Sequence, residues 1–272
     1  MSPQDVERSG GFRAEAPERP EWRIAGHAAC IGKPPDACSL PTMNDSAHTQ
    51  AQALSGKPRG GLPISPQGWP FLIGGVVLTI AAWLLCWHVA AAVLLILFLF
   101  MLNFFRDPER TAPQGEGLFI SPADGKVVRA EQTNEGVRVD IFMNVFDVHV
   151  NRAPMAGRIT HMAYTQGSFI NAAHENAGDH NERNRFEMQT DAGPSVTFTQ
   201  IAGLVARRII AYVAVGDHVT SGQRIGMIRF GSRVNCELPA GFTLKVQAGD
   251  KVRAGCTVLG ALEKGDKSNA KE

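Results

Sequence analysis

The sequence predicts a mainly β domain that follows a long apolar helical segment, and three features lead to this prediction. Residues 69–105 contain no Asp, Glu, Lys or Arg. From residue 106 onward, short alternating apolar and polar runs are separated by Gly, Pro, Asn and Asp, which is typical of strands and turns. The same stretch contains an internal repeat. Few of its segments are long enough for a helix, so strands are expected to form the core.

The first 68 residues are predicted to be a disordered extension. They contain nine of the 16 prolines and equal numbers of basic and acidic residues, without a sustained apolar period. Such a segment buries too little apolar surface to offset the entropy cost of ordering. It lacks a short apolar region followed by a small-residue cleavage site, which argues against a signal peptide. Met43 is an alternative translation start.

Residues 69–105 are predicted to form a membrane anchor. A spanning helix needs about 20 apolar residues, so these 37 residues are too many for one upright helix and barely enough for two. A tight helical hairpin that turns near Cys86, Trp87 and His88 fits this length. One tilted span followed by an interfacial helix is the alternative, because no Gly, Pro or Asn marks the turn. A buried helix of a soluble domain is disfavoured, since the segment has no polar face.

The region 106–263 is predicted to be one β-rich catalytic domain, and residues 264–272 form a polar tail. The expected strands are 126–130, 137–142, 148–151, 195–201, 209–215, 224–230, 234–238 and 243–246. Alternation of apolar and polar residues dominates these segments, as expected for strands with one buried face.

Two pairs of segments in this domain repeat each other. Residues 122–127 (PADGKV) match 154–159 (PMAGRI), and residues 213–222 (VAVGDHVTSG) match 246–255 (VQAGDKVRAG). This order resembles half of a biotinyl/lipoyl-type β-sandwich, in which each Gly-Asp supplies a tight turn and each Val points inward. The predicted fold is therefore a duplicated biotinyl/lipoyl-like β-sandwich with an N-terminal hydrophobic helical membrane anchor. A fold alone does not define an activity.

Composition argues against several classes of function. The net charge of +1 gives no basic field, so no nucleic-acid partner is expected. The five cysteines contain no C-x-x-C pair, which argues against a disulfide framework or a structural zinc site and favours a reducing, cytoplasm-facing location. The histidines contain no H-x-H pair, so metal catalysis is not expected either. No hairpin carries the lysine motif of a carrier domain.

Six motifs in a fixed order carry a resemblance to a known family. They are FFRDPER at 104–110, SPADGK at 121–126, FDVHVNR at 146–152, NERN at 181–184, GLVARR at 203–208 and FGSR at 230–233. Together they resemble the phosphatidylserine decarboxylase proenzyme family, in its short bacterial and archaeal branch. The resemblance implies a chain that cuts itself before a serine, which becomes a covalent N-terminal pyruvoyl group. It implies no metal and no separate cofactor, because this ketone accepts the electrons that decarboxylation releases.

The resemblance places self-cleavage between Gly231 and Ser232. The Ser232 hydroxyl would attack the Gly231 carbonyl, the ester would open by β-elimination, and the product would hydrolyse to the pyruvoyl group and ammonia. Gly231 suits the attacked position, because it has no Cβ and tolerates strained backbone angles. The chain has a second Gly-Ser pair at Gly167 and Ser168, for which a simple turn is expected.

A hydroxyl nucleophile needs a base, and His149 is the candidate. It lies on the strand-like segment 148–151, where neighbouring valines face the opposite side. Asp124, in the turn PADG, is expected to orient His149 as the third member of a triad. His149 is also the expected donor of a proton to the substrate Cα. The longer family branch has a second histidine where this chain has Arg152, so whether His149 serves both reactions stays open.

The resemblance implies phosphatidylserine in the membrane as substrate, and phosphatidylethanolamine and CO2 as products. Arg207 and Arg208 are expected contacts of the lipid phosphate. Basic residues on both sides of the apolar segment favour the inner membrane, with the catalytic domain on the cytoplasmic side. They are Lys57, Arg59, Arg106 and Arg110. The α and β chains produced by cleavage are expected to remain associated, and a homo-oligomer is left open.

Two alternatives share some of these features. A noncatalytic membrane-anchored adaptor of lipoyl-like fold would retain the repeats and the anchor but would have no use for Ser232. A pyruvoyl decarboxylase of a related aminophospholipid or amino acid would retain the chemistry, although the anchor disfavours a soluble substrate. The mass of the purified chain separates the enzyme from the adaptor.

Overall fold

The computed structural model describes residues 63–170, 177–204, 208–229 and 231–263. Met43, most of the predicted disordered extension, Arg207 and the polar tail at 264–272 lie outside the described residues. In the described part, the protein is mainly β, with antiparallel sheets preceded by apolar helices, as the sequence predicts.

Two apolar helices precede the β domain. Helix α1 spans Trp69–Leu84 after a 3-10 turn at Pro66–Gly68, and helix α2 spans His88–Phe104. The helices contact each other, and a Cβ added to Gly75 would lie 3.2 Å from the Phe98 ring. The segment Pro66–Leu84 is long and apolar enough to cross a membrane by length and composition, whereas α2 is shorter.

The turn between the helices consists of residues 85–87. The amides of all three residues bond to carbonyls of the last turn of α1. Cys86 has a φ of 59°, the left-handed conformation that commonly ends helices and is usually occupied by Gly or Asn. The chain thus reverses without a residue that marks the turn in the sequence.

The chain is ordered before α1, so the prediction of disorder is wrong for residues 63–68. Ile64 forms an antiparallel bridge with Arg106, and the Ser65 amide donates to the Phe105 carbonyl at 2.7 Å. This pairing joins the chain that enters the helices to the chain that leaves them. Local composition does not reveal such a long-range partner.

Strands make up most of the chain after the helices. In chain order they are β1 Leu118–Ile120, β2 Gly125–Thr133, β3 Gly136–Met143, β4 Val150–Arg152, β5 Gly157–Thr165, β6 Arg183–Thr190, β7 Ser195–Ala202, β8 Ile209–Ala211, β9 His218–Val219, β10 Arg224–Ile228, β11 Ser232–Pro239, β12 Phe242–Leu244, β13 Lys251–Val252 and β14 Val258–Leu262. A short helix, α3 at Ala177–His180, lies between β5 and β6.

Eight strands form one antiparallel sheet in the order β13-β2-β3-β11-β7-β6-β5-β9. Two three-stranded sheets, β1-β14-β12 and β4-β10-β8, complete the described part of the domain. Strand β11 pairs with β3 on one side and with β7 on the other, beginning at Ser232. The predicted cleavage position therefore lies at the start of a central strand.

The sequence repeats occupy equivalent positions at the two edges of this sheet. Strand β13 pairs with β2 by placing Val252 opposite Gly125, and β9 pairs with β5 by placing Val219 opposite Gly157. A Cβ on either glycine would overlap a carbonyl oxygen of the neighbouring strand. The repeated glycines are thus required by the close approach of two backbones.

Apolar side chains of the strands form one main core, and a smaller cluster joins the helices to the β domain. This hairpin-base cluster consists of Ile64, Leu72, Phe104, Phe105, Tyr212 and Met227. Complete burial of a phenylalanine contributes about 1.5–3 kcal/mol relative to exposure. The cluster therefore holds the ends of the helices against the β domain.

Buried ion pairs fasten the chain that follows α2. The Asp107 carboxylate accepts hydrogen bonds from Arg152 at 3.3 Å and from Arg224 at 2.7 Å. Removal of one partner from such a buried pair costs about 3–5 kcal/mol, because the other charge is left uncompensated. Arg152, which replaces the second histidine of the longer family branch, thus has a structural contact.

Candidate active site

The peptide bond between Gly231 and Ser232 lies where the backbone enters the central strand β11. Gly231 has a φ of +69°, a left-handed value that favours glycine, and a Cβ there would meet no atom within 4 Å. Backbone conformation, not crowding, therefore favours glycine. Ser232 is fully buried, and its Oγ donates to the Met143 Sδ at 3.2 Å.

Both polar backbone groups of Gly231 have partners. Its N–H donates to the His149 Nε2 at 3.3 Å. Its carbonyl oxygen accepts a hydrogen bond from the Gly203 N–H at 3.0 Å. A donor on a carbonyl oxygen stabilises the negative charge that develops when the carbonyl carbon is attacked. The carbonyl that Ser232 is predicted to attack is therefore already polarised.

His149 lies directly before β4 and is fully buried. Its Nδ1 lies 2.9 Å from the carbonyl oxygen of Asp147, which can only accept, so Nδ1 carries the proton. Nε2 is then the acceptor that faces Gly231. This tautomer leaves a basic nitrogen next to the predicted cleavage position.

The surroundings of His149 keep its imidazole neutral. Burial, and to a smaller extent the Arg106 charge, lower the pKa of His149, and its net value is about 4. The hydrogen bond to Asp147 and the Asp124 charge oppose this decrease in pKa. A neutral imidazole is the form that can accept a proton, so His149 is suited to act as a base throughout the physiological pH range.

Asp124 lies close enough to influence His149 by its charge, but its carboxylate is held elsewhere. Arg110 Nη2 donates to one oxygen at 2.8 Å, and the Ala254 amide donates to the other at 2.7 Å. The group that contacts His149 Nδ1 is the carbonyl of Asp147. The expected direct contact between Asp124 and His149 is therefore not found. The carboxylate of Asp124 instead forms a bidentate pair with Arg110.

The helices form one wall of the site. The Phe104 ring lies 4.4 Å from the His149 ring, centroid to centroid, and belongs to the last turn of α2. Phe100, one turn earlier, makes an edge contact with the exposed Phe146 at 6.1 Å. The candidate base therefore lies at the end of the β domain that faces the helices.

Two arginines lie beside the cleavage position. The Arg229 amide donates to the Arg208 carbonyl at 3.2 Å, and the Arg229 guanidinium lies 5.9 Å from the centroid of the Phe71 ring of α1. Burial and the Arg208 charge lower the pKa of Arg229. Among the described residues, neither guanidinium has a carboxylate partner. Sequence reasoning missed Arg229, although its place next to the FGSR motif was a usable signal.

Two buried amides continue the site beneath Ser232, and sequence reasoning missed both. Asn151 Nδ2 lies 3.8 Å from the Met143 Sδ that also accepts from Ser232, and Gln200 Nε2 donates to Asn151 Oδ1 at 2.7 Å. Within the described residues, Gln200 Oε1 is buried without a hydrogen-bond partner. A buried acceptor of this kind suits a donor such as a water molecule or an ammonium group.

Comparisons with known proteins show which family this chain resembles. A family model described as phosphatidylserine decarboxylase matches residues 97–260. A phosphatidylserine decarboxylase proenzyme of Desulfotalea psychrophila is 41% identical over 208 residues, which are 74% of this chain and 97% of the relative. One from Symbiobacterium thermophilum is 45% identical over 206 residues, 73% of this chain and 95% of the relative.

A third relative, a phosphatidylserine decarboxylase proenzyme of Burkholderia ambifaria, is 43% identical over 206 residues, 74% of this chain and 96% of the relative. The matched family region contains His149, Gly203, Gly231 and Ser232. By this similarity over nearly the full length of its relatives, the chain belongs to the phosphatidylserine decarboxylase family.

Proposed function

We propose that the chain cuts itself between Gly231 and Ser232 and then decarboxylates phosphatidylserine to phosphatidylethanolamine and CO2. The observation that carries this proposal is the arrangement of one peptide group. The Gly231 N–H meets His149 Nε2, and the Gly231 carbonyl meets the Gly203 N–H. A nucleophile, a base and a carbonyl donor thus converge on the bond that the family motif singles out.

Self-cleavage begins when the Ser232 side chain rotates from Met143 toward the Gly231 carbonyl carbon. Neutral His149 accepts the hydroxyl proton, and the Gly203 N–H stabilises the charge on the attacked carbonyl oxygen. The Gly231 acyl group moves from the Ser232 nitrogen to Oγ. β-Elimination then releases the Gly231 carboxylate, and hydrolysis of the remaining dehydroalanine yields ammonia and the pyruvoyl group.

The residues around position 232 suit a pyruvoyl group. Position 232 is fully buried, and it opens a strand that is paired on both sides. A pyruvoyl group at this position would bind the amino group of the substrate and would supply the electron sink that decarboxylation needs. Gln200 Oε1 offers an acceptor for an N–H of that amine, and His149 delivers a proton to the substrate Cα.

The apolar helices support a substrate that stays in the bilayer. Most of their large apolar side chains are exposed, which suits lipid rather than water. Because Phe104 contacts His149, the active site lies at the membrane-facing end of the domain. Arg208 and Arg229 are available there for the phosphate of the lipid. Arg207, the other predicted phosphate contact, lies outside the described residues.

The pairing of strands supports lasting association of the two chains after cleavage. The α chain of 41 residues begins with β11, which is paired with β3 and β7 of the 231-residue β chain. Flanking basic residues favour the cytoplasmic face of the inner membrane. We infer further that the equivalent strand pairs at Gly125 and Gly157 mark a duplicated biotinyl/lipoyl-like sandwich. A homo-oligomer stays a prediction.

The intact mass of the purified protein tests this proposal. Wild-type protein is expected to show the masses of two chains, one of 231 and one of 41 residues. The shorter chain is expected to be blocked at its N-terminus. Ser232→Ala is expected to remain one chain. Ser168→Ala is the matched control, because it alters the other Gly-Ser pair, where the Ser168 Oγ donates to the His180 carbonyl at 3.0 Å. Wild-type protein that stays in one chain after prolonged incubation would contradict the proposal.

Release of labelled CO2 from carboxyl-labelled phosphatidylserine tests the substrate. The cleaved protein is expected to release the label from vesicles of this lipid, and Ser232→Ala is expected to release none. A cleaved protein that prefers free serine would contradict the assignment of a membrane lipid as substrate.

A further inference from the structure

Self-cleavage changes the charge next to His149. The carbon that Ser232 attacks belongs to Gly231, whose N–H already donates to His149 Nε2 at 3.3 Å. When β-elimination breaks the bond between Cβ and Oγ of residue 232, the Cα proton is lost and Oγ leaves with the Gly231 carbonyl group. Gly231 thereby becomes a C-terminal carboxylate, and no such negative charge exists there before cleavage.

We propose that this new carboxylate comes into contact with His149 Nε2, in place of the Gly231 N–H, and converts the side chain from the base of self-cleavage into the acid of decarboxylation. The inference rests on the proposed function, because cleavage must occur for the carboxylate to form. The Gly203 N–H, which holds the Gly231 carbonyl oxygen at 3.0 Å, is in place to hold the same oxygen in the carboxylate. Gly203 thus acts through its backbone as a positioning residue.

The other charges that face His149 leave room for this change. Arg106, from the segment after α2, disfavours a charged imidazole, and Asp124, from the turn before β2, favours one. Asp147 presents its carbonyl to His149, while its carboxylate accepts from the Asn144 amide. Phe104 covers the ring from α2 without a charge. We expect an anion in direct contact within this buried site to offset both the burial, which is the largest cause of the low pKa of His149, and the Arg106 charge.

This conversion accounts for the use of a single histidine in two reactions. A base must be neutral before it accepts a proton from Ser232, and burial keeps His149 in that form. The donor of a proton to Cα must instead be protonated near neutral pH. Arg152 stands at the position of the second histidine in the longer branch. It is bound to Asp107, so it cannot act as a second acid or base in this site. The product of the first reaction therefore prepares the residue for the second.

NMR titration of histidine-labelled protein in detergent micelles tests the inference. The uncleaved form is Ser232→Ala, the cleaved form is wild type, and His149→Gln identifies the His149 signal. Cleavage is expected to raise the pKa of His149 from about 4 toward neutrality, a gain in proton affinity of about a thousandfold. His218 is the internal control, because it lies on edge strand β9 and pairs with Asp191.

A second sample separates the carboxylate from the ketone that forms in the same reaction. Borohydride reduces the pyruvoyl ketone to an alcohol and leaves the Gly231 carboxylate in place, so the higher pKa of His149 should persist. An unchanged His149 titration in a protein that has separated into two chains would overturn the inference. Loss of the shift after reduction would also overturn it. Failure of the proposed function would be distinguishable from these two outcomes, because the intact mass of the wild-type protein would then show one uncleaved chain.

Discussion

At the residue scale, one imidazole is proposed to act in both cleavage and decarboxylation. His149 is buried between the carbonyl of Asp147 and the N–H of Gly231, and this fixes its tautomer. Because burial lowers its pKa to about 4, its protonated fraction is small above pH 5.5. The rate of self-cleavage should therefore change little between pH 5.5 and 8.

Replacement of His149 tests its role as base. His149→Ala is expected to slow maturation by about 10²–10⁴-fold, the usual contribution of a positioned base. The measurement is the rate at which one chain is converted into two after a short pulse of protein synthesis, monitored by gel electrophoresis. Asp124→Asn should show a smaller defect, because it removes a charge but not the contact with Nδ1. His218→Ala is the control, and cleavage of His149→Ala at the wild-type rate would remove this residue from the mechanism.

Arg229 offers a separate test of lipid recognition. If its guanidinium contacts the lipid phosphate, Arg229→Gln should raise the KM for phosphatidylserine in mixed micelles about tenfold, the loss of one charge-assisted hydrogen bond, and leave kcat nearly unchanged. Arg253→Gln is the matched control, since Arg253 is exposed in the turn after β13. A fall in kcat with unchanged KM would indicate that Arg229 supports the cleavage position instead.

At the scale of elements, the helices are expected to fix where the proposed catalytic groups meet the membrane. Helices α1 and α2 have 16 and 17 residues, so each is about 25 Å long, slightly shorter than the hydrocarbon core of about 30 Å. Cys86 lies in the turn that connects the two helices. At the other end of the hairpin, Ser65 before α1 pairs with Phe105 after α2. Both flanking segments should therefore lie on one face of the membrane.

Thiol labelling in sealed inverted vesicles tests this topology. Single-cysteine proteins that retain either Cys38, before the helices, or Cys256, in the β domain, should both react with a membrane-impermeant maleimide. A protein that retains only Cys236 should stay unlabelled, because this thiol is fully buried and burial raises its pKa. Reaction of Cys38 and Cys256 from opposite faces would replace the hairpin by a single span. The catalytic assignment would survive that result.

On the scale of the whole molecule, the described β domain and the helices depend on each other. Strand β11, which would begin the α chain after the proposed cleavage, pairs with both neighbouring strands. The hairpin-base cluster joins the helices to Tyr212, directly after β8, and to Met227 of β10. The buried pairs of Asp107 fasten the connection between them. Folding of the complete domain is therefore expected to precede cleavage.

Two truncations that differ by six residues test the boundary of the ordered chain. Deletion of residues 1–62 should preserve cleavage and membrane association, because none of the contacts described above needs that segment. Deletion of residues 1–68 should lower the melting temperature, because it removes the buried Ile64 and Ser65 and their pairing with the chain after α2. Thermal unfolding measured by circular dichroism, with cleavage on a gel, distinguishes them. Equal melting temperatures would show that residues 63–68 contribute nothing.

Much of the fold could be predicted because its signals are local. The 37 residues without a formal charge predict apolar helices, and the alternating runs predict strands. The repeated glycines predict equivalent turns, and the FGSR motif predicts a position for self-cleavage. Each of these signals depends on residues close together in the sequence, so it can be recognised without knowledge of the fold.

Tertiary structure alone decided the partners of these residues. The sequence assigned Asp124 to His149, but Arg110 holds that carboxylate, and the backbone of Asp147 contacts the imidazole instead. No sequence pattern indicates that the Gly203 amide meets the Gly231 carbonyl, since any residue except proline carries such a donor. The sequence determined which groups have the chemistry for cleavage. The pairing of strands distant in the chain determined which of them meet, because hydrogen bonds and burial depend on positions that only the folded chain defines.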